Sequence, residues 1–201
     1  NFSFNLTRYV RFFLKINPLV KFKGQIFHIS LHIKNSKFLG VNIGEGIINS
    51  TNIAFTSGPW TKVILKDHVD VDVKPLKGQI IKANSNEKFD NSFSWGRDYA
   101  TKKMDGYIWM GTTEENVDFQ EGTTEEAKDQ ILNSFKSTFS GFSDLNIKEQ
   151  TACFRPYSIM NQPILKESPN IEGIYIGTGA GRNGIKLGPG MGKRLSDMIF
   201  N

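Results

Sequence analysis

Residues Ile174-Tyr175-Ile176-Gly177-Thr178-Gly179-Ala180-Gly181-Arg182-Asn183-Gly184-Ile185-Lys186-Leu187 run from a strand-like apolar segment, through glycines, into a helix-like one. Gly179 to Gly184 spell G-x-G-x-x-G, the pattern that holds dinucleotides when it opens a strand–helix–strand unit. Such a unit needs roughly 30 residues, with an acidic residue about 20 positions further on. The sequence reaches Asn201 first, so the ordinary dinucleotide reading is rejected. The underlying physics is kept: a strand, a glycine loop that lets a ligand approach the backbone, and a helix N-terminus aimed at it. Unpaired N–H groups and a partial positive charge at such an end suit an anionic or electron-accepting ligand edge.

The 201 residues suffice for one large domain or two small ones, and 16 phenylalanines give the core an aromatic bias. The formal charge of +5 comes from lysines spread along the chain without a basic block. Nucleic-acid recognition prefers a clustered stripe, so no nucleic-acid partner is expected, whereas a phosphate-bearing cofactor or an anionic substrate fits diffuse charge. One cysteine excludes an internal disulfide framework and fits a reducing compartment, hence the cytoplasm. No apolar run reaches the roughly 18 residues of a membrane span. The sequence starts at Asn1 and not Met, so a preceding segment is expected.

Periodicity predicts a short amphipathic helix over residues 5–15 and strands over 25–34 and 38–43, joined by a turn at Asn35-Ser36-Lys37. Further strands are expected after Gly44-Glu45-Gly46 and over 52–57, then a helix opened by Gly58-Pro59 and running to Lys66. The alternation from Val69 to Ala83 predicts a strand with one wet face. Residues 85–97 read as polar and irregular, and a hairpin over 98–113 turns at Met104-Asp105-Gly106. Thr123-Thr124-Glu125-Glu126 resembles a capping box before the stripe Ala127, Ile131, Leu132, Phe135 and Phe139. Strands over 147–154 and 173–178 and a helix over 191–200 close the chain. The class is mixed α/β (α+β) with long antiparallel elements.

Several pieces fit one family in their order and spacing. They are Ser57-Gly58-Pro59-Trp60, Lys74-Pro75-Leu76-Lys77-Gly78-Gln79, Gly111-Thr112-Thr113-Glu114-Glu115, Cys153-Phe154-Arg155-Pro156, Gln162-Pro163-Ile164-Leu165, Gly173-Ile174-Tyr175, Gly181-Arg182-Asn183-Gly184-Ile185 and Pro189-Gly190-Met191-Gly192. Together they resemble the D-amino-acid oxidase superfamily of FAD-dependent oxidoreductases, the group of glycine oxidase and sarcosine oxidase, over nearly the whole chain. The resemblance implies an incomplete Rossmann-like FAD-binding domain (residues 1–68 and 153–201) and an antiparallel-sheet substrate domain (69–152). It also implies that the segment gripping the FAD pyrophosphate lies upstream of Asn1.

The resemblance assigns roles. Arg155 matches the arginine that forks onto a substrate carboxylate, which a guanidinium does through two parallel charge-assisted bonds; its plain alternative is a surface ion pair. Tyr99 matches a tyrosine assisting that carboxylate, or is simply a cross-strand aromatic. Arg182 resembles a second substrate contact. Ala180, Gly181, Arg182, Asn183, Gly184, Ile185 and Lys186 would lay backbone N–H groups along the flavin edge that becomes anionic on reduction. Ile29 falls where relatives contact the adenine side. Lys186 and Cys153 match sarcosine oxidase instead, as a carboxylate ligand and a covalent flavin tether; the alternative for Cys153 is a small buried hydrophobe. Trp109 occupies the position of the oxygen-activating lysine there.

The implied reaction oxidises a small amine or amino acid (glycine, sarcosine, a D-amino acid or a proline-like compound), with O2 or another electron acceptor. A complementary N-terminal polypeptide or a homo-oligomer is a possible partner. The competing reading is a truncated or split non-catalytic subunit that holds no flavin alone. His28 and His32 lie too far apart along a strand for an easy metal pair, so no metal is expected. Glu114, Glu115, Glu125 and Glu126 read as solvated caps.

Overall fold

The computed structural model describes residues 30–42, 46–142 and 144–201. The expected helix over 5–15, Ile29 and His28 lie outside the described residues. Two compact units are present, residues 1–51 and 52–201.

In the first unit, strand β1 (Ser30–Lys34) turns onto β2 (Lys37–Asn42) through Asn35 (φ 51°) and Ser36 (φ 58°). Positive φ at both central positions is what a two-residue hairpin of matching twist requires, and asparagine tolerates it. Lys37, expected in the turn, pairs with Lys34 and opens β2. β3 (Ile47–Asn49) completes an antiparallel sheet of order β1-β2-β3.

The second unit begins with β4 (Ile53–Phe55). A 3-10 turn at Gly58–Trp60, with Pro59 in its first turn, leads into the short helix α1 (Thr61–Leu65). Val69, Val71 and Val73 are buried while Asp70 and Asp72 are exposed, as the alternation predicts, although strand β5 (Val73–Ser85) itself starts later. β6 (Ser92–Trp95) and β7 (Asp98–Lys102) form a hairpin, followed by β8 (Ile108–Gly111), helix α2 (Glu125–Thr138) and β9 (Leu145–Ser158). These strands make an antiparallel sheet of order β6-β7-β8-β5-β9, in which β5 pairs with β9 from Val73↔Ser158 to Ser85↔Leu145. β10 (Ile164–Glu167), β11 (Ile174–Thr178) and β4 form a third sheet, with β11 parallel to β4, and α3 (Gly184–Phe200) closes the chain.

Helix α2 covers one face of the five-stranded sheet. Ile131 and Phe135 are buried against Ile81, Ala83, Ala100, Ile108, Met110 and Phe89. Phe135 and Phe139 stand 4.9 Å apart by ring centroid, and Phe89 contacts Phe93, Phe135, Phe139 and Phe142. Residues 85–97, expected to be irregular, thus supply a strand and a buried ring. Serines between Phe93 and Trp95 and around them lower the local hydrophobicity and hid this contribution.

Thr124 is the N-cap of α2, its hydroxyl accepting from Ala127 N at 3.3 Å. The other half of the expected capping box is made by a distant residue: Thr124 N donates to Gln79 Oε1 at 3.0 Å. Thr124→Ala is expected to lower stability by about 0.5–2 kcal/mol, the range for loss of an N-cap hydroxyl, read as a drop in urea midpoint at unchanged slope.

Candidate active site

Strand register fixes which side chains share the face opposite α2. Tyr99, Gly111, Ile80 and Thr151 lie in one cross-strand row, and Gly78 opposite Cys153 and Leu76 opposite Arg155 continue it along β5 and β9. The Arg155 guanidinium folds back across β5: a Cβ built on Gly78 would stand 2.0 Å from its Nη1. Glycine in a strand interior commonly marks such a close approach. The guanidinium then reaches the end of β8, donating from Nη2 to Thr112 Oγ1 (2.7 Å) and from Nη1 to the Thr113 carbonyl (3.3 Å). Among the described residues no carboxylate lies within ion-pairing distance of it, so the expected alternative of a surface ion pair is not what the fold makes. Its anchors are neutral, and its charge is uncompensated among the described residues.

Four consecutive residues organise this region. Thr112 also donates its hydroxyl to the Gln79 carbonyl (3.0 Å) and its N–H to Asp98 Oδ1 (3.0 Å). Thr113 Oγ1 accepts from Gln79 N at 2.9 Å and contacts Glu115. Glu114 pairs with Arg97 Nη1 (2.8 Å) and Arg182 Nη1 (3.4 Å). Glu115 accepts from Gln79 Nε2 (2.9 Å) and lies 3.7 Å from the buried Lys77 ammonium. Glu114 and Glu115 are therefore not solvated caps. A buried lysine demands a counter-charge, and the fold supplies it here. Sequence reading quoted Gly78, Thr112 and Thr113 only as parts of the family's pattern and gave neither them nor Asp98 a role in the site; the glycine inside the strand was a local signal for a close approach.

The glycine loop meets the same region. Gly179 (φ 79°) and Gly181 (φ 53°) adopt left-handed backbone, and a 3-10 turn at Gly181–Asn183 leads into α3, which starts at Gly184, seven residues before the expected Met191. Ala180 bridges to Tyr157 of β9. At Gly181 and Gly184 an added Cβ meets nothing nearer than 4.0 Å, so a flat ligand edge has access to this backbone. An open cleft of about 680 Å³ is lined by Ala180, Gly181, Arg182 and Asn183 on one side and by Leu76, Tyr157, Arg97 and Glu114 on the other. Arg182 donates to the Arg97 carbonyl at 2.6 Å besides pairing with Glu114. Ile185 and Lys186 are exposed on α3, and Cys153 is an exposed free thiol, contrary to the expected buried hydrophobe. Lys82 Nζ of β5 lies 4.5 Å over the Trp109 ring and 2.6 Å from Glu149.

Burial raises the Tyr99 hydroxyl pKa above the ordinary tyrosine value; Cys153 adds to this, while the positive charges of Arg155 and Arg182 act against it. The phenol is neutral and able to donate throughout the physiological range. Because its folded-state pKa exceeds the unfolded one, its contribution to stability is complete below the unfolded value of about 10 and is lost as pH rises through the folded value. Urea midpoints measured between pH 9 and 11 should therefore fall more steeply for the native protein than for Tyr99→Phe; parallel curves would contradict this.

The family profile described as FAD dependent oxidoreductase (DAO) matches residues 17–198. Glycine oxidase of Pseudomonas aeruginosa is 28% identical over 166 residues, covering 81% of this chain and 45% of that protein. The crystal structure of glycine oxidase from Bacillus cereus superimposes with a TM-score of 0.76 at 27% identity, over 87% of this chain and 49% of that one. Iminodiacetate oxidase from Chelativorans gives 0.78 at 26%, over 86% and 48%. The chain spans about half the length of these relatives. With a mixed fold of antiparallel sheets, a glycine loop leading into a helix, and a match over most of its length, the chain belongs to the DAO family of FAD-dependent oxidoreductases.

Proposed function

We propose that this chain carries the substrate-binding and flavin-facing part of an amine or amino-acid oxidoreductase. The observation supporting this most directly is the half-buried Arg155 guanidinium, held by a hydroxyl and a carbonyl with no carboxylate beside it among the described residues. A partly buried charge left without a counter-ion is costly, and a substrate carboxylate removes that cost while fixing its own orientation. The neutral Tyr99 hydroxyl on the same face donates a further hydrogen bond to that carboxylate.

The backbone from Ala180 to Lys186 fits the pyrimidine edge of a flavin, since Gly181 and Gly184 leave it uncovered and α3 begins there. FAD held along this backbone would supply the two-electron oxidant for the substrate's carbon–nitrogen bond. The chain's own residues bind, orient and exclude. Arg155 aligns the substrate through its carboxylate, and an amine that arrives neutral needs no protein base. The resulting imine hydrolyses in water. Residues 69–152 serve as the substrate domain and 1–68 with 153–201 as parts of the flavin domain. Cys153 stays a free thiol, since Arg155 and Arg182 match the arrangement in which the flavin is not tethered.

The test is anaerobic mixing of the flavin-loaded full-length protein with glycine, sarcosine, D-alanine, D-proline, D-aspartate and iminodiacetate. Bleaching of the flavin's visible absorbance by at least one of them is expected. A bound flavin that none of them reduces, although dithionite does, would remove this reading.

A further inference from the structure

The cleft beside the glycine loop carries more positive charge than one carboxylate requires. Lys74, Arg97 and Arg182 line it, and Glu114 is the one acidic group among its described lining residues. Both guanidiniums share that glutamate, at 2.8 Å and 3.4 Å, so the rim retains a positive charge even before Lys74 is counted. Arg155, on the adjoining sheet face, adds a cation with no carboxylate partner among the described residues.

The rim is also built to stay in place. Arg97 occupies the second position of the two-residue turn between Trp95 and Asp98, with Gly96 at φ 53° before it. Glycine first is the requirement of one of the two turns that match strand twist. Asp98, the next residue, is fixed by Thr112 N (3.0 Å) and by the Ser134 hydroxyl (2.5 Å). Arg182 closes the arrangement by donating to the Arg97 carbonyl at 2.6 Å. The turn is thereby tied to the same Thr112 that holds Arg155.

We infer that the substrate is an amine bearing two carboxylates, one taken by Arg155 and the second by the Arg97–Arg182 pair at the mouth of the cleft. This rests on the reading of Arg155 as a substrate-carboxylate ligand. Glu114 bridges the two guanidiniums and offsets one of their two charges. With Arg182 Nη2 already donating to the Arg97 carbonyl, the donors left for the ligand are chiefly those of Arg97 beyond Nη1, and a planar fork suits that recognition better than lysine alone. Leu76, the cross-strand partner of Arg155, and Tyr157, two residues further along β9, both line the cleft, so Arg155 adjoins it. A monocarboxylate amine would leave the second positive charge of that outer centre, the one Glu114 does not offset, unmatched.

The experiment titrates the flavin-loaded full-length protein with unreactive anions, acetate, malonate and succinate, at constant ionic strength, by calorimetry and by the flavin spectrum. The better dicarboxylate should bind at least tenfold more tightly than acetate, and in Arg97→Gln that advantage should fall below threefold. Acetate affinity equal to that of both dicarboxylates overturns the second site while leaving the Arg155 reading intact. So does a dicarboxylate advantage that survives in Arg97→Gln. Binding of none of the three anions overturns both.

Discussion

Arg155→Ala is expected to reduce kcat/KM for a carboxylate-bearing amine by roughly 30-fold to several thousand-fold, with flavin content unchanged. The range follows from truncating one partner of a desolvated, hydrogen-bonded charge pair, about 2–5 kcal/mol, at tenfold per 1.4 kcal/mol. The geometry puts the effect in substrate affinity and alignment, because the guanidinium is already oriented by Thr112 and Thr113 before any ligand arrives. Arg155→Lys should recover little: an ammonium cannot reproduce two parallel donors, and the Thr112 hydroxyl and Thr113 carbonyl would compete for its protons. Unchanged kcat/KM in either variant, measured by steady-state oxidation with substrate well below KM, would show that the carboxylate binds elsewhere.

Gly78→Ala should reproduce most of that loss without touching a charged group. The new methyl would stand 2.0 Å from Nη1 and 2.4 Å from Cζ of Arg155, distances that only displacement of the guanidinium can relieve. Since the obstacle is the far end of a flexible chain and not backbone, the fold should survive, with thermal stability falling by about 1 kcal/mol or less, as for substitutions that leave the core intact. The decisive measurement is the double-mutant cycle. In an Arg155→Ala background, Gly78→Ala should be nearly silent in kcat/KM, because the two changes remove one interaction. Additive losses would mean that Gly78 matters for its own backbone and not for the room it leaves.

Much of the architecture was legible because local signals and tertiary packing agree. The Asn35-Ser36 turn, the stripe on α2 and the strand before Gly179 were read from residue type and spacing alone. β6 was not, since Ser92, Ser94 and the polar residues around Phe89 dilute an apolar signal that only its neighbours reveal. α3 was placed too late because Gly184, Gly188, Pro189, Gly190 and Gly192 depress helix propensity, whereas packing of Leu195 against Gly177 favours the helix regardless. For the site, the family resemblance singled out Arg155, Tyr99 and Arg182. The supporting loop was quoted for the resemblance but given no role in the site: threonines and glutamates look solvent-facing in sequence, and their bonds to Gln79, Lys77 and Arg155 join residues 34 or more positions apart.

β9 has a consequence for how the molecule comes apart. One end of the strand pairs with Ser85 near the aromatic core, and the other reaches Ser158, one residue past the bridge from Tyr157 to Ala180 in the glycine loop. The sheet that presents Arg155 and the loop that begins α3 thus share a single uninterrupted ribbon. Residues 52–201 should melt in one calorimetric transition and not two, and proteolytic nicking within residues 150–155 should release neither half as a folded fragment.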